Sequence, residues 1–117
     1  KPMLEKTNRI NLLFDFYAPL LKERQVQFLE MYYREDLSLS EIAEITDVSR
    51  QAVFDQLKRT EAVLEQFEEG LHLLARYHER KRRLSELLAA VEQMDEHNQD
   101  RIKALVKELA RFELEQG

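Results

Sequence analysis

An all-α fold is what this 117-residue chain predicts. Three observations carry it: only two glycines and two prolines, apolar residues recurring at helical spacing from end to end, and capping side chains where the stripes begin. So few turn formers exclude sandwiches, barrels and phosphate-cradling loops. The expected architecture is a helix-turn-helix head of about four helices over residues 1–70 and a helical C-terminal extension over 71–117.

The first helix carries Ile10, Leu13, Phe14 and Tyr17 on one side, and Pro19 ends it at Ala18 by removing a donor and disfavouring helix before it. The second begins near Lys22 and runs to about Arg34, with Val26, Leu29, Tyr32 and Tyr33 as its stripe. Ser38-Leu39-Ser40-Glu41 is a capping box that opens a short third helix, with Ile42, Ala43 and Ile45 as its buried side. Thr46-Asp47-Val48 is a connector without the glycine often found there, and Ser49 caps the fourth helix. Two short capped helices across so tight a turn read as helix-turn-helix.

Beyond Leu57, the register Val63, Phe67, Gly70, Leu74, Tyr77, Lys81, Leu84, Leu88, Val91 alternates steps of four and three, which is a heptad seam. One long helix bent or broken at Gly70 and a helix pair both satisfy it. His97-Asn98-Gln99-Asp100 reads as a polar break with Asp100 as N-cap. Ile102, Leu105, Val106, Leu109 and Phe112 then line a last helix.

The net charge is −5, but it is blocked: residues 48–60 carry +2 and 70–83 carry +4, while 30–47 carry −5 and 61–69 carry −4. A Debye length of ~10 Å at 0.1 M salt lets a basic face act locally on an acidic protein. On the fourth helix Ala52, Val53 and Leu57 are expected in the core. Ser49, Arg50, Gln51, Phe54, Asp55, Lys58 and Arg59 form the candidate nucleic-acid face. Arg50 suits guanine, Gln51 suits adenine, and Lys58 and Arg59 suit phosphates. Phe54 either stands exposed to meet a thymine methyl or a partner, or is buried by a tilt of the helix. The alternative for the whole unit is a packing motif with solvated side chains. Arg76, Arg80 and Arg83 form a second basic stripe, to be read as a phosphate or acidic-partner surface or as a solvated face holding pairs such as Glu79 to Arg83.

Catalytic chemistry finds little here. There is no cysteine, and His72, His78 and His97 lack metal-pair spacing, so no metal, cofactor or enzyme activity is expected. No apolar run approaches the ~18 residues a membrane span needs, and no secretory segment opens the chain, so the reading is a soluble, cytoplasmic protein.

Leu37-Ser38-Leu39-Ser40-Glu41-Ile42-Ala43-Glu44, followed by Val48-Ser49-Arg50-Gln51-Ala52-Val53-Phe54-Asp55 and Lys58-Arg59-Thr60-Glu61, resembles the YlxM family of small bacterial helix-turn-helix proteins. Lys6-Thr7-Asn8-Arg9 with Leu13-Phe14-Asp15-Phe16-Tyr17 matches that family's opening. More distantly the region is similar to the promoter-reading region four of sigma factors. The likeness covers about residues 5–75. It departs at Lys22, where the family places a hydroxyl cap, and at Phe54, where it places tyrosine. The resemblance implies a regulatory protein of the signal recognition particle pathway, contacting DNA, the particle's RNA or its proteins. A protein-interaction adaptor on the same scaffold is the alternative. The apolar stripes of the extension exceed what so short a piece of chain covers by itself, which predicts a homodimer held mainly through the C-terminal helices, the alternative being a last helix folded back on its own head.

Overall fold

The computed structural model describes residues 4–116, with side chains through Phe112. Among the described residues there are six α-helices and no strand. α1 spans Leu4–Tyr17, and the Pro19 segment Ala18–Leu20 follows as one tight 3₁₀ turn. α2, Glu23–Leu29, widens into a π turn over Glu30–Arg34, where the Glu35 amide donates to Glu30 at 2.9 Å. α3 is Leu39–Thr46, α4 Arg50–Leu71, α5 Leu73–Val91 and α6 Glu96–Gln116. The chain divides after Leu71 into two units: a head in which α4 packs on α1, α2 and α3, and a pair in which α5 packs on α6.

The sequence signals set most of these boundaries. Ser38 accepts from the Glu41 amide at 3.1 Å while Glu41 accepts from the Ser38 amide at 2.9 Å, so both halves of the capping box form. Lys22 has no side-chain acceptor for its helix, and only the return half remains, with the Lys22 amide donating to Gln25 at 2.9 Å.

The head core gathers Ile10, Leu13, Phe14 and Tyr17 from α1, Phe28, Leu29 and Met31 from α2 and its π turn, Ile42 from α3, and Val53, Leu57 and Leu64 from α4. The acidic run after Thr60 serves this packing. Glu61 meets Lys6 at 3.1 Å, Glu65 takes two bonds from Arg9 at 2.7 and 2.8 Å, and Glu68 accepts from the buried Tyr17 hydroxyl at 2.7 Å. Those three carboxylates stand four and three residues apart, which puts them on the one edge of α4 that faces α1. The Arg9 guanidinium holds the Glu65 carboxyl below the usual carboxylate range.

Two boundaries and one register differ from the sequence expectation. Gly70 stays helical, and the chain breaks two residues later, where His72 adopts the left-handed conformation (φ 58°, ψ 28°). The expected seam through Val63, Phe67 and Gly70 is not the buried side of α4: the buried line is Val53, Leu57, Thr60, Leu64 and Glu68, with Glu61 beside it, while Val63 and Phe67 are only partly covered. α6 starts before His97. Asp95, not Asp100, accepts from the Asn98 amide at 3.1 Å and caps the helix.

Candidate nucleic-acid interface

The turn between α3 and α4 is built by side chains standing in for glycine. Asp47 takes the left-handed conformation (φ 56°, ψ 42°), which aspartate tolerates better than most residues. The Val48 amide then closes back onto the Ala43 carbonyl at 3.2 Å, and the Thr46 hydroxyl donates to the Ile42 carbonyl at 2.7 Å. Ser49 accepts from the Ala52 amide at 3.0 Å, so α4 begins where its cap requires.

From that start, Ser49, Arg50 and Gln51 are exposed. Arg50 makes no hydrogen bond or ion pair to another described residue. Gln51 donates to Asp55 at 3.0 Å and Arg59 donates to Gln56 at 3.2 Å, which pre-orders the outer face of the helix. Asp55 is partly covered, and Phe54 is 41% exposed, which decides the alternative left open at that position in favour of exposure. Lys58 turns away from this face: its ammonium lies 5.4 Å from the Phe54 ring centre and 3.7 Å from Glu61.

Two expected core residues are not in the core. Ala52 is exposed because it lies about 100° round the helix from Val53, off the line that α4 buries. Ile45 is 62% exposed. The inner side of α3 runs through Leu39, Ile42, Ala43 and Thr46, and three residues on from Ile42 the helix has turned past it.

Beside α4 lies a cleft of about 300 Å³. Its walls are Lys6 of α1, Tyr32 and Tyr33 of the π turn, Leu39 of α3, and Phe54, Leu57, Lys58 and Glu61 of α4. Tyr33 donates to Glu61 at 2.7 Å, and burial followed by that bond pushes its hydroxyl well above the ordinary tyrosine range. Lys58 is held below its ordinary value by the adjacent Lys6 ammonium. Of the cleft residues only Phe54 and Lys58 were on the sequence-derived face. Lys6, Tyr32, Tyr33 and Glu61 come from three further stretches of the chain: Lys6 and Glu61 lie in the strings that resemble the YlxM family, and the two tyrosines lie outside them.

The second stripe is not one exposed row. Arg76 and Arg83 are exposed, but Arg80 is partly buried with its Nε enclosed, because it lies at the edge of the side that carries Tyr77 and Leu84. Arg83 pairs with Glu79 at 2.9 Å, and Arg82 bridges Glu79 and Glu86. Arg82 first, then Arg83, holds the Glu79 carboxyl below its ordinary value. His72, His78 and His97 are each exposed and stand apart. Among the described residues no helix is long and apolar enough to cross a membrane.

Residues 4–108 match the family UPF0122, described as "Putative helix-turn-helix protein, YlxM / p13 like". The chain belongs to this family. UPF0122 proteins of Bacillus cereus (strain Q1), Bacillus anthracis (strain A0248) and Bacillus thuringiensis subsp. konkukian are each 48% identical to it over 111 residues, covering 95% of this chain and the whole of each relative. The UPF0122 match takes in α5 and most of α6 as well as the head, so the likeness extends well past residue 75.

Proposed function

We propose that this UPF0122 protein is a non-enzymatic regulator that contacts nucleic acid through the exposed start of α4, with Arg50 and Gln51 toward base edges and Arg59 toward phosphate. The observation that carries the reading is the Ser49-capped N-terminus behind Asp47, which leaves Arg50 without a competing partner among the described residues. Helix N-termini favour anions, and the first turn of a recognition helix is the part that enters a major groove. Its likeness to YlxM proteins directs the proposal to the signal recognition particle pathway, with DNA or the particle's RNA as the ligand.

The extension is the proposed assembly surface. Leu105, Leu109 and Phe112 stand 56%, 49% and 57% exposed at steps of four and three on α6. The occupant proposed for this stripe is a second copy paired antiparallel about Leu109, which would set Leu105 of one helix near Phe112 of the other. Two heads would double the cations offered to one ligand.

Salt-dependent filter binding with duplex DNA and with particle RNA tests the first claim. One phosphate contact from Arg59, and at most one more if Arg50 also reaches the backbone, give a log–log salt slope of about −1 to −2 per copy. The double variant Arg50→Glu/Arg59→Glu should lose binding with its helical circular dichroism intact. Unchanged affinity would move the function to the adaptor alternative, in whose favour stands the exposed Ile45 beside the turn. Light scattering at micromolar concentration should return about twice the 14.0 kDa chain mass.

A further inference from the structure

The cleft beside α4 has a division of character that the base-reading face does not use. Its mouth is cationic: Lys6 and Lys58, with side chains 42% and 48% exposed, both approach one oxygen of Glu61. That carboxylate is only 11% exposed and already accepts the Tyr33 hydroxyl, so two ammonium groups share one negative charge and one positive charge is left over at the rim. Its interior is aromatic and aliphatic, with Phe54, Leu57, Leu39 and the Tyr32–Tyr33 pair, whose rings stand edge to face at 5.0 Å. Both tyrosines sit on the π turn, a local widening that is frequent at functional sites.

We propose that this cleft receives one unstacked nucleotide of a single strand, the base entering against Phe54 and Tyr32 and its phosphate resting at the mouth on Lys6 and Lys58. About 300 Å³ is at the small end of ligand pockets (~300–1,000 Å³), which suits one planar group rather than a length of chain. Glu61 in the wall repels a carboxylate that enters deeply but not a neutral base, and the surplus cation at the rim meets the anion that trails behind that base. Lys58 now covers one face of the Phe54 ring; a phosphate that draws it off uncovers that face for stacking, the usual means of holding single-stranded bases. The proposal rests on the nucleic-acid reading and adds to it a second, strand-selective contact.

The test uses the full chain with short oligouridylate and oligothymidylate strands, a mixed-sequence DNA duplex, inorganic phosphate and an oligoglutamate peptide. Phe54→Ala should weaken single-strand binding at least about fivefold and duplex binding by clearly less, while Arg50→Glu/Arg59→Glu should weaken duplex binding more than single-strand binding. Phe54→Trp should restore single-strand binding. The chain has no tryptophan, so stacking should also quench the parent's tyrosine emission, and loss of a mere charge contact would not. Three outcomes overturn the proposal: Phe54→Ala binding the single strand as the parent does, inorganic phosphate displacing the strand at equal concentration, or oligoglutamate binding more tightly than the oligonucleotides. Loss of duplex binding alone in the parent would count against α4 as a reading helix and leave the cleft standing.

Discussion

The head and the α5–α6 pair are both built from amphipathic helices, but they satisfy those helices differently. In the head most large apolar side chains of α1, α2 and α4 are covered, with Leu4, Phe54 and Leu71 left exposed, and Tyr17 is joined to Glu68 and Tyr33 to Glu61, while Oδ1 of Asn11 is enclosed without a hydrogen-bond partner. In the pair, Leu74, Val91 and Val106 are buried while Leu87, Leu105, Leu109 and Phe112 remain open. Its ion pairs within α5, Arg82 to Glu79 and Glu86, are local and exposed, whereas the Arg9–Glu65 clasp of the head joins residues 56 apart. The head covers most of its large apolar side chains; the pair leaves a row of them exposed along α6.

The sharpest way to break that contrast is to cut one leucine from each region. Leu64 is fully buried, so Leu64→Ala should cost ~2–5 kcal/mol in chemical denaturation, the range for a core leucine that leaves a cavity. Leu109→Ala should leave the stability of a dilute chain unchanged and instead raise the concentration at which the proposed dimer forms. Equal losses in the two variants would mean that α6 is already covered within one chain.

A smaller effect tests the polar joints. Tyr17→Phe keeps the ring beside Phe67 and removes the donor to Glu68, which is 8% exposed. A carboxylate deprived of a buried donor costs ~1–3 kcal/mol, so the urea midpoint should fall while the slope stays constant. No shift in the midpoint would show that Glu68 is held by its other surroundings.

The same contrast explains what could be read in advance. Pro19, the Ser38–Glu41 box and Ser49 act over three or four residues, so the boundaries they set are visible in the chain alone. Asp47 is visible only afterwards, since aspartate tolerates the left-handed conformation without announcing it as glycine does. Asp95 and Asp100 are both plausible caps by type, and only the observed bond to Asn98 separates them. Ile45 and Ala52 are apolar yet exposed, because the inner line of each helix is set by packing and not by hydrophobicity alone. The cleft was illegible for a tertiary reason: Lys6, Tyr33 and Glu61 meet only once α1, the π turn and α4 are assembled.

Capping gives the next comparison. Ser38→Ala removes one half of a box inside the packed head, and it should lower global stability by ~1 kcal/mol. Asp95→Ala removes the cap of α6 in the less buried pair, so its effect should stay local. Hydrogen exchange resolves the two: Ser38→Ala should speed exchange across the whole head, Asp95→Ala only in the first turn of α6. A global response to Asp95→Ala would place α6 in the same cooperative unit as the head.

The smallest expected effect is a gain, and it lies at the boundary between the two regions. From the seam, Gly70 looked like a bend or a break, yet it is helical, exposed and without positive φ, and a Cβ built there meets nothing within 4 Å. Alanine fits that position freely and restricts the unfolded chain, so Gly70→Ala should stabilise the protein by ~0.5–1 kcal/mol. The residue that ends the helix is His72, at φ 58°, where glycine would relieve a side chain held in the left-handed region. His72→Gly should therefore be tolerated, while His72→Val should be destabilising, because a β-branched residue is the worst fit for that conformation. If Gly70→Ala destabilises and His72→Val does not, the chain turns at Gly70, and the boundary between head and pair lies two residues earlier than His72.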